Sequence, residues 1–140
     1  MGYTPTEAEL AYIRKAHDES VAFLTICGGF LGPQLAGVLA GKTATAPRFM
    51  LPELKEKDPR TQWVDKRFAR DGKVWTSGAL LNGLDLMREF LKEYWPELAA
   101  VSISMGGVPV RDVEYVGNDG LLQMTPGSVS RMDILSEVYK

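Results

Sequence analysis

The sequence predicts an α/β fold in which a mainly parallel sheet is flanked by helices. Three observations carry this. A helix-start signature opens the chain, a continuous apolar run of strand length follows, and that run ends in a Cys-Gly-Gly turn ahead of a second apolar segment of helical length. The 140 residues are enough for one domain with a real core, and residues 1–140 are read as a single unit.

The elements follow in order. Thr4 caps, Pro5 fits the first helical position and Glu7 closes a capping box, and Leu10, Ile13 and Ala16 recur at helical spacing, so a helix is predicted over Pro5 to Asp18. Val21 to Ile26 is continuously apolar and β-branched, the pattern of a strand buried on both faces of a parallel sheet. The segment FLGPQLAGVLAG ends at Gly41 and reads as a helix distorted by Pro33. Lys42 to Ala46 is a short strand, and Met50 to Lys57 a short helix or turn. Gln62 to Arg67 and Lys73 to Thr76 flank an Asp71-Gly72 hairpin signal. Leu80, Leu84, Met87, Leu91 and Tyr94 mark the clearest amphipathic helix, which ends at Pro96. Beyond it, Gly106-Gly107, Pro109, Gly117-Asn118-Asp119-Gly120 and Pro126-Gly127 break the chain into short pieces.

Composition excludes several classes of function. A net charge of -2 with interleaved signs gives no basic stripe for nucleic acid. One cysteine excludes an internal disulfide, and with a single histidine it excludes the usual Cys/His zinc clusters, so no metal site is expected. No stretch reaches the roughly 20 apolar residues that span a bilayer, and MGYTPTEAEL lacks the basic-then-apolar order of a signal peptide. The expected compartment is the cytoplasm, with no membrane partner.

Cys27 is the focus of the chemistry. A strand delivered into a small-residue turn and then a helix has the geometry of a nucleophile elbow, and Thr25-Ile26-Cys27-Gly28-Gly29 has that arrangement. A sulfur at a helix start meets unpaired N–H groups and the positive end of the helix dipole, which favour a thiolate and stabilise a developing oxyanion. The bland alternative is an inert cysteine at the end of a core strand.

At this point the residues resemble a known family. TICGGFLGPQLAGVLAGKTAT is similar to the DJ-1/PfpI segment in which a strand ends at a cysteine, a helix follows, and a Gly-Leu-Leu-x-Gly-Lys/Arg-x-x-Thr signature leads to the next strand. Here that signature reads Gly37-Val38-Leu39-Ala40-Gly41-Lys42-Thr43-Ala44-Thr45. Val74 to Asp85 resembles the family's Thr-Ser-x-Gly-x-x-x-Gly-x-Asp stretch, with Ala79 where the family has glycine. The resemblance covers roughly Pro5 to Tyr94. It implies a partial flavodoxin-like sheet of the class I glutamine amidotransferase-like kind, lacking the first strand-helix-strand portion. That portion carries the acidic partner of the cysteine in family members. His17 lies in the opening helix, not at the family's histidine positions. Asp112-Val113-Glu114-Tyr115 is similar to a late Ile-Glu-Tyr element, while Leu121 to Lys140 matches nothing common in the family.

The resemblance implies a cofactor-free cysteine catalyst acting on a small molecule, as the family's hydratases, glyoxalase-like lyases and amidase-like members do. Cys27 is its nucleophile, Gly28 and Gly29 its oxyanion donors, and Thr76 and Ser77 its pocket wall. Two other readings stand beside it. One is a catalytically degraded binding or scaffold protein. The other is a recruited pocket, lined by Phe30, Phe49, Met50 and Trp75, that cyclises or rearranges an apolar compound without a nucleophile; the bland reading of those four is core packing. An open parallel strand at Val21 to Ile26 predicts a homodimer or a heteromer that completes the sheet. Arg48, Arg67 and Arg70 are the remaining basic cluster, with no spacing that requires an anion.

Overall fold

The computed structural model describes residues 4–117. Helix α1 (Glu7–Glu19) starts two residues later than the sequence predicts, because Thr6 and not Thr4 is the cap. Thr6 Oγ1 accepts from the Glu9 N–H and the Glu9 carboxylate accepts from the Thr6 N–H at 2.8 Å, a reciprocal box that the Thr6-x-x-Glu9 spacing allows equally well. The other end of α1 is held by Lys73, whose ammonium donates to the carbonyls of His17, Asp18 and Ser20.

Strand β1 (Phe23–Ile26) leaves the Cys27–Phe30 stretch to a 3-10 turn, and helix α2 (Leu31–Leu35) follows. Next come β2 (Thr43–Ala44), α3 (Leu51–Lys57), β3 (Gln62–Trp63), β4 (Phe68–Asp71), β5 (Val74–Ser77), α4 (Asn82–Tyr94) and α5 (Pro96–Met105). Two of these differ from expectation. The hairpin joins β4 to β5 around Gly72, at φ +59°, whereas Gln62-Trp63 pairs with β2. Helix α5 lies where the pattern blurs, because PELAAVSISM has apolar residues around its whole circumference and so no legible stripe.

The main sheet has the order β1-β5-β4, with β1 parallel to β5 and β5 antiparallel to β4; β2 and β3 form a second, parallel pair. Alternation then sorts the side chains. Phe23 and Val74 face one way, into a cluster with Phe30, Leu39, Leu54 and Trp63, on which Leu10 and Ile13 of α1 pack. Trp75 faces the other way and meets Phe90 of α4 edge-on at 5.7 Å. Helices therefore cover both faces. The expectation that Val21 to Ile26 is buried on both faces is corrected, since Val21 is 84% exposed and Ile26 38%, and among the described residues β5 is the one strand that pairs with β1.

The Gly-x-x-x-Gly-Lys-x-x-Thr signature has an architectural role. Gly37 and Gly41 both adopt positive φ, +80° and +74°, and turn the chain into β2. Thr45 then joins the two sheets: its N–H donates to Thr76 Oγ1 at 2.8 Å, and its hydroxyl lies 2.8 Å from the Val64 carbonyl and 3.0 Å from that of Lys66. No helix among the described residues is long and apolar enough to cross a membrane.

Candidate functional site

Ile26, the last residue of β1, lies opposite Ser77 in the parallel register, and the chain leaves the sheet at the next residue. Cys27 makes that exit at φ +54°, and among the described residues it is the only non-glycine with positive φ. An L-residue there costs roughly 1–2 kcal/mol, because Cβ crowds the following carbonyl. The two residues after it, Gly28 and Gly29, are exposed, and a Cβ added to either would meet nothing within 4 Å. Cys27 is itself half-buried, so it stands at the rim of open space rather than in the hydrocarbon core. The N–H groups of Cys27 and Gly28 fall in the first turn of the 3-10 segment, ahead of its own ladder.

The helix after the turn is shorter than the sequence predicts. Four 3-10 residues and five α-helical residues, with Pro33 among the latter, replace one long distorted helix, and turns carry the chain on to Gly41. So short a segment has almost no macrodipole, and the helix dipole that the sequence predicts behind Cys27 is correspondingly small.

Two buried hydroxyls flank the strand end without a hydrogen-bond partner, Thr25 Oγ1 and Ser77 Oγ, in residues 5% and 0% exposed. Unpaired buried polar atoms are uncommon enough to mark a place where a ligand or water belongs. Of the remaining residues singled out by sequence, Thr76 is fully buried and occupied by Thr45, on the face opposite Ser77. Phe30 is in the core, edge-on to Trp63 at 5.4 Å, and Trp75 is buried on the other face of the sheet; Phe49 is 44% exposed and Met50 buried. Phe30 and Trp75 thus line no common cavity, because neighbouring strand positions point in opposite directions.

Beyond Ser77, the residues of the second signature block serve close packing. A Cβ on Gly78 would stand 2.7 Å from the Tyr115 hydroxyl and 3.2 Å from the Ala46 carbonyl, and one on Gly83 3.1 Å from two carbons of Ile26. Ala79, where the family has glycine, has no positive φ, so its methyl is tolerated. Asn82 Oδ1 accepts from the Ala79 N–H at 2.9 Å and from Tyr115 at 2.7 Å. Asp85 is fully buried between Arg88 and Arg111, and Arg88 donates to the carbonyls of Pro109 and Arg111. The 109–115 segment is thereby clamped to α4 beside Gly78. Sequence reasoning did not assign Asn82, and its signal was an asparagine at a helix start.

Arg48 and Arg67 stack on the Tyr115 ring, at 4.5 and 4.8 Å from its centroid, while Arg70 lies apart over Trp75. His17 is at the opposite end of β1 from Cys27, edge-on to Phe23, in a cleft of about 250 Å³ lined by Arg14, His17, Asp18, Ala36, Gly37 and Val38. Among the described residues no carboxylate hydrogen-bonds the Cys27 sulfur, and no cluster of metal-ligating side chains occurs. The stretch from Leu121 to Lys140 lies outside the described residues.

Comparison with known proteins agrees with this fold. A THiJ/PfpI family protein from Pseudomonas syringae superposes with a TM-score of 0.65 at 19% identity, over 76% of this chain and 44% of its own. Drosophila melanogaster DJ-1beta gives 0.59 at 19% identity, over 73% and 54%. An AraC family transcriptional regulator from Pseudomonas putida gives 0.60 at 17% identity, over 71% and 55%. The chain thus spans about half the length of the solved proteins it matches. No curated protein matches it by sequence. The family model for DJ-1/PfpI matches residues 4–93, well over half of the sequence, and this chain belongs to the DJ-1/PfpI family.

Proposed function

We propose that the chain is a cysteine-dependent catalyst acting on a small electrophile, in the manner of a hydratase, lyase or hydrolase, with Cys27 as the nucleophile. One observation carries the reading, the positive φ of Cys27 at the strand exit. Glycine adopts that conformation without steric cost and occupies the next two positions, so a cysteine at the strained one needs a reason beyond the fold. Strain of this kind aims a side chain out of the sheet at a nucleophile elbow.

The step follows from the groups at hand. The Cys27 sulfur, as thiolate, forms a bond to the electrophilic carbon, and the π pair of that carbon's double bond moves onto its heteroatom. The Gly28 N–H donates to the negative charge that forms there. The unpaired Ser77 hydroxyl, one register position from Cys27, supports a role as a further donor at the pocket wall.

The test is turnover of a panel of aldehydes, 2-oxoaldehydes and primary amides by the native chain and by Cys27→Ala. Thermal unfolding of the variant monitors the fold. Turnover of one class by the native chain, lost in a folded Cys27→Ala, is the expected result. Undiminished turnover in the variant overturns the nucleophilic role.

A further inference from the structure

Two helical segments begin at the carboxyl ends of neighbouring parallel strands. The short one follows β1 at Cys27, and α4 follows β5, which lies beside β1. Such ends are where open α/β sheets take their ligands. Unlike the segment after Cys27, α4 has 13 residues and so a full macrodipole at its start. Its first turn touches the elbow, since a Cβ on Gly83 would stand 3.1 Å from two carbons of Ile26, the residue before Cys27.

The start of α4 has donors to spare. Asn82 Oδ1 takes up the Ala79 N–H, and the Asn82 N–H closes a turn on the Ala79 carbonyl at 2.9 Å. Among the described residues the N–H groups of Leu80 and Leu81 have no acceptor, and both residues are exposed. Asp85, the acid of the first turn, is matched by Arg88 and Arg111, so no net negative charge opposes an anion. A second observation points to a ligand. Ser77 shares a face with Ile26 in the parallel register, and Gly83 against Ile26 puts the first turn of α4 on that face. The Ser77 side chain is therefore directed under this turn, and its hydroxyl, in a residue with 0% exposure, has no partner.

We infer that the substrate of the Cys27 site carries a carboxylate, held at the start of α4 by the N–H groups of Leu80 and Leu81 and by the Ser77 hydroxyl. This rests on the reading of Cys27 as a nucleophile and adds the class of substrate, a small carboxylate with its electrophilic carbon close to the charged group. Main-chain donors at a helix start accept an anion without a cationic side chain, and hydrogen bonds to a charged group are the strong ones.

Iodoacetate and iodoacetamide test this. Each alkylates a thiolate at its CH2 carbon, the sulfur forming the new bond as iodide leaves with its electron pair, and only the first bears a carboxylate. Rates at Cys27 are followed by intact mass at low ionic strength and referred to those of free cysteine. The native chain is expected to raise the ratio of iodoacetate to iodoacetamide rates at least about threefold over free cysteine. Leu80→Pro deletes one N–H at the first central position of the turn, which proline favours, and Ser77→Ala deletes the hydroxyl. Each variant is expected to bring the ratio most of the way back to that of free cysteine, with thermal unfolding verifying the fold. A native chain labelled by both reagents in the free-cysteine ratio overturns this inference alone. So does a raised ratio that both variants leave unchanged, because the selectivity then arises elsewhere. Failure of either reagent to label Cys27 in the folded chain removes the nucleophile, and this inference with it.

Discussion

Thr45 and Thr76 connect the two sheets: the Thr45 N–H donates to Thr76 Oγ1 across 2.8 Å, and both residues are completely buried. Thr76→Val keeps the side-chain shape but leaves that N–H in the core with no acceptor. A buried donor stripped of its partner costs about 1–3 kcal/mol. Chemical denaturation is expected to show a lowered midpoint with an unchanged slope, and the alkylation of Cys27 in the folded protein to be unaltered, since Thr76 faces away from Ser77.

At Gly78 the Tyr115 hydroxyl leaves no room for a side chain. In Gly78→Ala the new methyl would stand 2.7 Å from the Tyr115 hydroxyl, so the bond from Tyr115 to Asn82 must break or the segment must shift. The expected cost is about 1–3 kcal/mol. Tyr115→Phe removes the oxygen that clashes. A double-mutant cycle by denaturant unfolding is therefore expected to be non-additive, with Gly78→Ala costing less in the Tyr115→Phe background. Strict additivity would mean that the close approach is not what the glycine serves.

Glu89 supplies a pH dependence whose sign is fixed. Burial pushes its carboxyl up, but hydrogen bonds from Arg88 and Lys92 outweigh this and hold it below the ordinary value of 4.5. A carboxyl depressed in the folded state contributes stability above the unfolded value and loses it as pH falls through the folded one. The pair is partly solvated, so the contribution is about 0.5 kcal/mol or less. Glu89→Gln is expected to remove a shallow part of the acid limb below pH 4.5 and to leave stability near pH 7 reduced by that small amount, as pH-dependent unfolding would measure.

How much of this was legible in the sequence depends on whether a local pattern or a partner decides the outcome. Helix α4 could be read because its apolar residues fall on one stripe, and the Asp71-Gly72 turn because glycine there adopts positive φ. Helix α5 and the exposure of Val21 and Ile26 could not, since PELAAVSISM has no stripe and a continuous apolar run does not tell which of its residues are covered. The sharp turn at Cys27 was legible from the glycines that follow it. The separation of Phe30 from Trp75 was not, because it needs to be known which face of the sheet each residue takes.

The strain at Cys27 makes a last prediction that separates stability from chemistry. At φ +54° a residue with a Cβ bears a steric cost that glycine does not, whereas glycine loses more backbone entropy on folding. The first term is roughly 1–2 kcal/mol and the second roughly 0.5–1, so Cys27→Gly is expected to be as stable as the native chain or more stable by up to about 1.5 kcal/mol. Cys27→Ala keeps the strain and gains nothing. Denaturant unfolding of the two variants side by side gives the difference directly, and intact-mass labelling with iodoacetamide checks that the thiol is gone in both. If Cys27→Gly is the more stable and also inactive, the fold has been carrying a cost at this residue for the sake of the sulfur. If Cys27→Gly is less stable than Cys27→Ala, the turn is held by contacts of the cysteine side chain, and its conformation is a consequence of packing rather than a device for presenting a nucleophile.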